Sequence, residues 1–292
     1  MAPFDPQRIS ALFLQLYTVL IDMRFIPASH LHQAPHNPPI NTEKCRALGM
    51  SPEVIDLLER LPYLVDSESY GTVMTPGYVI APEMLSLSFL PDPDSRDALQ
   101  IARDPNDVCG QEITNENAYI EPWSCYFDTQ YRESSWVVFN TRENTITDVN
   151  WSKRSSLWPD PPAGSNRWYY NNRPAKPAEQ FLEDWIQKFI QLEWIPYESL
   201  GGWPGIFMQG NREYPQLRDL YRSHGWPNNF RPEEFLRGLE EFNEEERQRD
   251  IREKELLYPG YREARLLRET REREAREAEE REERERANRD EL

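Results

Sequence analysis

Apolar residues recur at helical spacing from the start of the chain. Ile9, Leu12, Phe13, Leu16, Leu20 and Met23 follow Asp5 as an N-cap and Pro6 at the first helical position, which predicts a core helix to about Phe25. A loop rich in Pro and His runs from Pro27 to Pro39. Thr42 then caps a short helix that Gly49 ends, and Ser51-Pro52-Glu53 opens another. That second helix turns Val54, Leu57, Leu58 and Leu61 inward and closes at Pro62. From Gly71 the pattern becomes that of strands, at Gly71–Ile80, Leu85–Leu90 and Tyr119–Phe127. The strongest signal is Trp136–Asn140 and Thr145–Trp151, two β-branched and aromatic runs joined by the polar turn Thr141-Arg142-Glu143-Asn144. With helical patterns on both sides, this hairpin is expected to be the centre of a sheet that helices cover.

Beyond the hairpin, Trp158–Pro177 reads as an irregular Pro-, Asn- and aromatic-rich connection. Ala178–Glu193 reads as an amphipathic helix with Phe181, Leu182, Trp185, Ile186, Phe189 and Leu192 on one stripe. Gly201-Gly202-Trp203-Pro204-Gly205 has neither the Lys nor the strand–loop–helix setting of a phosphate-binding loop and reads as a turn. Helices follow at Tyr214–Ser223, ended by Gly225, and at Pro232–Arg249. The expected fold is α+β: an antiparallel sheet flanked by helices in residues 1–200, a helical extension in 201–260 and a charged helical tail in 261–292. In that tail ten Arg face twelve Asp and Glu. Glu leads Arg by four at Glu269/Arg273, Glu272/Arg276, Glu277/Arg281 and Glu282/Arg286, the better order for helix support. Leu266 and Leu267 are nearly its only large apolar residues, so it carries no sustained coiled-coil seam. Tyr258-Pro259-Gly260 is its expected hinge.

Charge narrows the partners. The 292-residue chain has a net charge of −17, and nearly all of the excess lies before the tail. Such a body repels phosphate backbones and anionic lipid, which argues against nucleic acid or a membrane as partner and for a protein with a basic surface. Cys45, Cys109 and Cys125 are few, odd in number and widely spaced, which fits reduced cysteines of an intracellular, cytoplasmic or nuclear protein. Ile9–Ile21 lacks the basic lead and cleavage site of a signal peptide and is too short to span a bilayer. The final Arg289-Asp290-Glu291-Leu292 resembles an ER-retention signal but reads as the end of the Arg/Glu tail.

Candidate chemistry is sparse. His30, His32 and His36 sit within seven positions. Histidines two apart on an extended segment point to one side, and a third nearby would complete a zinc-type set. An ordinary polar loop is the competing reading, because no acidic residue in the loop serves as base or outer ligand. His224, ahead of Gly225, suits a helix C-terminus. Cys125 in Trp123-Ser124-Cys125-Tyr126 reads as core rather than nucleophile. Asp92-x-Asp94-x-x-Asp97 begins like a calcium loop but lacks its later Gly and Glu. Trp151, Trp158, Trp168, Tyr169 and Tyr170 either edge the core or line a groove for a ligand. No cofactor motif is present. Two functional readings follow: a non-catalytic intracellular protein-interaction module, and a metal-dependent enzyme using the histidine loop.

Three segments carry a resemblance. They are Phe4-Asp5-Pro6-Gln7-Arg8-Ile9; Ser51-Pro52-Glu53-Val54-Ile55, with Leu61-Pro62-Tyr63-Leu64 downstream; and Tyr221-Arg222-Ser223-His224-Gly225-Trp226-Pro227, followed by Phe230-Arg231. These resemble a group of uncharacterised proteins of filamentous fungi over most of residues 1–250, a resemblance that implies no activity. The order of elements is also similar to that of the SUKH superfamily, whose members bind other proteins. Neither resemblance assigns a site residue.

Overall fold

The computed structural model describes residues 3–65, 78–82, 84–86, 88–91, 98–103, 120–127, 135–150, 174–199 and 204–268, with 270, 271, 273, 274 and 281. In chain order the elements are α1 (Pro6–Asp22), β1 (Leu31–His32), α2 (Thr42–Ala47), α3 (Pro52–Arg60), β2 (Tyr63–Leu64), β3 (Val79–Ala81) and β4 (Met84–Leu85). They continue with α4 (Ala98–Arg103), β5 (Ser124–Tyr126), β6 (Ser135–Asn140), β7 (Thr145–Asn150), β8 (Ala175–Pro177) and α5 (Ala178–Ile190). Last come β9 (Ile195–Glu198), β10 (Pro204–Phe207), α6 (Tyr214–Ser223) and α7 (Pro232–Leu257). The fold is α+β, and every named strand pairing is antiparallel.

The hairpin β6–β7 forms the middle of a four-stranded sheet in the order β5-β6-β7-β8. Asn140 pairs with Thr145, and the turn closes with Asn144 in the left-handed region, a conformation that Asn tolerates. Its base is clamped to the approach of β5. The Thr141 backbone N–H and hydroxyl both donate to the Trp123 carbonyl, at 2.8 and 2.9 Å, and the Arg142 guanidinium lies 3.4 Å above the Trp123 ring. Val137, Val138 and Phe139 are buried in succession, as are Thr145, Ile146 and Thr147, so both faces of this end of the hairpin are covered.

Helix α1 starts as its local chemistry dictates, with the Asp5 carboxylate accepting from the Gln7 and Arg8 backbone N–H groups. It buries Ile9, Leu12, Phe13, Leu16, Tyr17 and Leu20, each worth about 1.5–3 kcal/mol for an aliphatic or aromatic side chain removed from water. It packs on α3 and α5, and α5 packs in turn on β7 and β8. Aromatic rings carry the contact onward: Phe4 meets Phe139, which meets Phe127, and Phe127 meets both Phe13 and Phe89. Helix α2 is capped by Asn41, whose side chain accepts from Lys44 N–H at 2.9 Å, one residue ahead of the Thr42 cap expected from sequence.

Strand β5 is shorter than the run Tyr119–Phe127 expected. The carbonyls of Ile120 and Glu121 accept from the buried Arg103 guanidinium, and the Pro122 carbonyl accepts from Ser51 N–H, so none of the three joins a ladder. The expected strand Gly71–Ile80 is described only at its end, where β3 holds Val79–Ala81. Strands β1, β2, β8, β9 and β10 were not anticipated. Each has two to four residues, too few for a period-2 pattern to register.

The chain divides into two compact units, residues 1–232 and 233–292. The first unit runs past residue 200 because α6 and the turn after it complete earlier helices. The Tyr221 hydroxyl donates to the Met23 carbonyl at the end of α1 (2.9 Å). The Tyr214 hydroxyl and Trp226 indole N–H donate to the Leu192 (2.8 Å) and Ile190 (3.1 Å) carbonyls at the end of α5. Helix ends leave carbonyls without intrahelical partners, and these donors satisfy three of them.

In the second unit α7 extends to Leu257, beyond the Arg249 limit expected, and an Asp250–Lys254 pair at 2.8 Å spans the added turns. Among the described residues no helix is long and apolar enough to cross a membrane.

Candidate functional site

The histidine loop is tied down at three separate points. His30 ends a 3-10 turn, and its Nδ1 hydrogen-bonds the Tyr78 hydroxyl. His32 lies in β1 opposite Tyr63 and is exposed. His36 donates from Nε2 to the Leu61 carbonyl at 3.0 Å, and its ring centroid lies 5.0 Å from that of Tyr63. Pairing of β1 with β2 therefore distributes the imidazoles among different neighbours. Among the described residues no three His, Cys, Asp or Glu side chains form a group that would hold a metal ion, so the set expected at His30, His32 and His36 is not assembled.

One atom of the loop stands out. His36 Nδ1 is buried with no hydrogen-bond partner. Burial lowers the His36 pKa, opposed by the Leu61 hydrogen bond and assisted by the charge of His32, so the neutral ring is favoured.

The thiols are core groups. Cys45 and Cys125 are both buried, and burial pushes the Cys125 thiol far up despite the nearby Arg103 charge. Cys109 lies outside the described residues, as do the Asp92-x-Asp94-x-x-Asp97 segment, the cluster of Trp151, Trp158, Trp168, Tyr169 and Tyr170, and Gly201 to Trp203. His224 takes the C-cap position of α6, and its Nδ1–H donates to the Leu220 carbonyl at 2.8 Å, as a helix C-terminus favours.

The second unit carries the other candidate surface. After α7 the chain turns at Tyr258, Pro259 and Gly260, with Gly260 at φ +87°, and residues 261–268 are helical again. The Glu255 carboxylate builds this turn by accepting from the Gly260 (2.8 Å) and Arg262 (2.7 Å) backbone N–H groups, which hold its pKa below the usual range. Lys254 Nζ lies 5.6 Å from the Tyr261 ring centre. Hydrogen bonds from Gln248 and Arg247 lower the pKa of Glu244, and the Arg265 charge adds to them.

The half-buried positions of the helix after Gly260 are Tyr261 and Arg265, four apart on one face. Leu266 and Leu267 are outside. Among the described residues the large apolar side chains left exposed are Leu256, Leu257, Tyr258, Leu266 and Leu267, between 57% and 84% exposed, and all lie in this stretch. Sequence reasoning marked the hinge and the second Leu pair but passed over Leu256-Leu257, whose adjacency at a helix end was the available signal. Compared with known protein families, with characterised proteins and with solved structures, the chain matches none.

Proposed function

We propose that the protein is a non-catalytic protein-interaction module whose first unit engages a partner with a basic surface. The observation that carries this reading is the acidic charge of that unit. Residues 1–232 hold 29 Asp and Glu against 19 Lys and Arg, a net −10 on one compact unit. A field of that sign steers basic surfaces toward it and repels nucleic acid and anionic lipid. The cysteine weighed as a nucleophile is a core residue, and the histidines weighed as ligands hold separate partners, which supports the same reading. The likeness to the SUKH superfamily belongs to this proposal, as does a cytoplasmic or nuclear setting.

The test is capture by the full chain from native lysate at low salt, followed by titration of the purified partner at about 0.05 and 0.3 M salt. The expected result is saturable binding to a protein with a basic face, weakened at least ten-fold at the higher salt. No saturable partner at low salt, or binding indifferent to salt, removes the reading.

A further inference from the structure

We propose that residues 27–39 form an acid-released latch: protonation at His36 detaches this loop from β2 and uncovers Tyr63 and Leu64, while the helices and the central hairpin stay folded. The proposal does not depend on the partner assigned to the acidic first unit.

The latch is thin, and its pins are titratable. Between the buried Ile26 and Ile40, ten of the thirteen residues are exposed, and the three half-buried ones are His30, Leu31 and His36. Apolar burial therefore does little to hold the loop, and segments with few buried contacts open at less cost than the whole fold. What holds it is the two-residue pairing of β1 with β2, the Val65 N–H donated to the His30 carbonyl at 2.9 Å, and hydrogen bonds from two imidazoles.

Those imidazoles answer a proton differently. The Tyr78 hydroxyl can donate to a bare His30 nitrogen or accept from a protonated one, so a bond survives either way. At His36, Nε2 already donates to the Leu61 carbonyl, so the added proton goes to Nδ1, which is buried with no acceptor. An N–H there loses its water and gains nothing in exchange, a cost that release of the ring removes. Neighbouring charge adds to the effect. Residues 23–42 contain no Asp or Glu, only Arg24 and the three histidines, so acid places like charges on a short segment. From β1, the charge of exposed His32 acts against protonation of His36. From β2, the facing titratable group is Tyr63, whose phenol burial keeps neutral. The end of α3 beside Leu61 carries exposed Glu59 and Arg60, the latter paired with Asp56 at 2.7 Å.

The test is hydrogen exchange of the full chain at pH 7.5, 6.5 and 5.5, with rates corrected for the intrinsic pH dependence of exchange. Protection across residues 30–41 and 61–65, the Val65 N–H included, should fall about three- to ten-fold from pH 7.5 to 5.5, a range capped by an imidazole of ordinary pKa, about 6.5, in the open state. Helices α1 and α5 and the β6–β7 hairpin should keep theirs. His36→Gln, which can still donate to the Leu61 carbonyl but takes up no proton, should remove the fall, and His32→Gln should keep most of it. Unchanged protection in the parent overturns the proposal, as does an equal fall in His36→Gln. A fall shared by every element of the first unit overturns it too, because the acid effect is then global. The parent's own pH series separates local release from none, so a variant that circular dichroism shows to be poorly folded leaves the test intact.

Discussion

At the scale of single residues, Arg103 does the most to join distant parts of the chain. It is buried, donates from Nε to the Leu48 carbonyl at 2.9 Å, and donates from one terminal nitrogen to the Ile120 and Glu121 carbonyls, the latter at 2.8 Å. Those carbonyls follow α2 and precede β5, so one guanidinium holds together segments that no ladder connects. Removing the donor leaves the buried Ile120 carbonyl without that partner and takes one from each of the part-buried Leu48 and Glu121 carbonyls. Arg103→Met should therefore lower stability by about 3–5 kcal/mol, read from urea midpoints, and Arg103→Lys should restore only part of it, since a point charge does not span three carbonyls.

His36 gives a pH dependence whose sign is set by burial. Its folded pKa lies below the ordinary 6.5, so the unfolded chain binds the proton more readily. Its contribution is complete above about pH 6.5 and is lost as pH falls below that value toward the folded pKa. Urea midpoints at pH 7.5 and 5.5 should differ less in His36→Gln than in the parent. An unchanged difference would show that the lone buried nitrogen does not govern this window.

Elements were legible in sequence where their causes are local. Helices α1, α3 and α6 follow from apolar spacing with a Pro at the first turn, α5 from its apolar stripe, and the hairpin from two β-rich runs around a polar turn. Gly225 shows how one such local signal reaches further. It ends α6 at φ +88°, and a Cβ there would lie 2.1 Å from the Asn229 carbonyl oxygen. That turn also places Trp226 against α5. Gly225→Ala should cost at least about 2 kcal/mol, since strained φ and a backbone clash combine. Gly210, at φ +115° with open space around it, should cost about 1–2 kcal/mol as Ala, for conformation alone. Equal losses in thermal unfolding of the two variants would contradict this account.

At the scale of the whole molecule, the exposed large apolar side chains among the described residues are confined to the second unit. Both units are acidic, at net −10 and −7, but the first has its described large apolar side chains covered, whereas the second exposes five of them. An electrostatic partner of the first unit is screened as the Debye length falls to about 10 Å at 0.1 M salt.

Taken alone, the sequence determined what short range controls: the amphipathic helices, their caps, the central hairpin, the α+β class and the charged tail. Periodicity and capping need only neighbours within a few residues, so they are visible without a fold. Tertiary structure decided everything that depends on distant partners. It paired Leu31–His32 with Tyr63–Leu64 and so dispersed the histidines; it shortened β5 by giving two carbonyls to Arg103; and it carried the first unit to residue 232 through Tyr214, Tyr221 and Trp226. It also closed the turn at Gly260, where the Glu255 carboxylate accepts from the Gly260 and Arg262 backbone N–H groups. These outcomes rest on hydrogen bonds and burial between residues far apart in the chain, and no local pattern encodes which distant group will meet which.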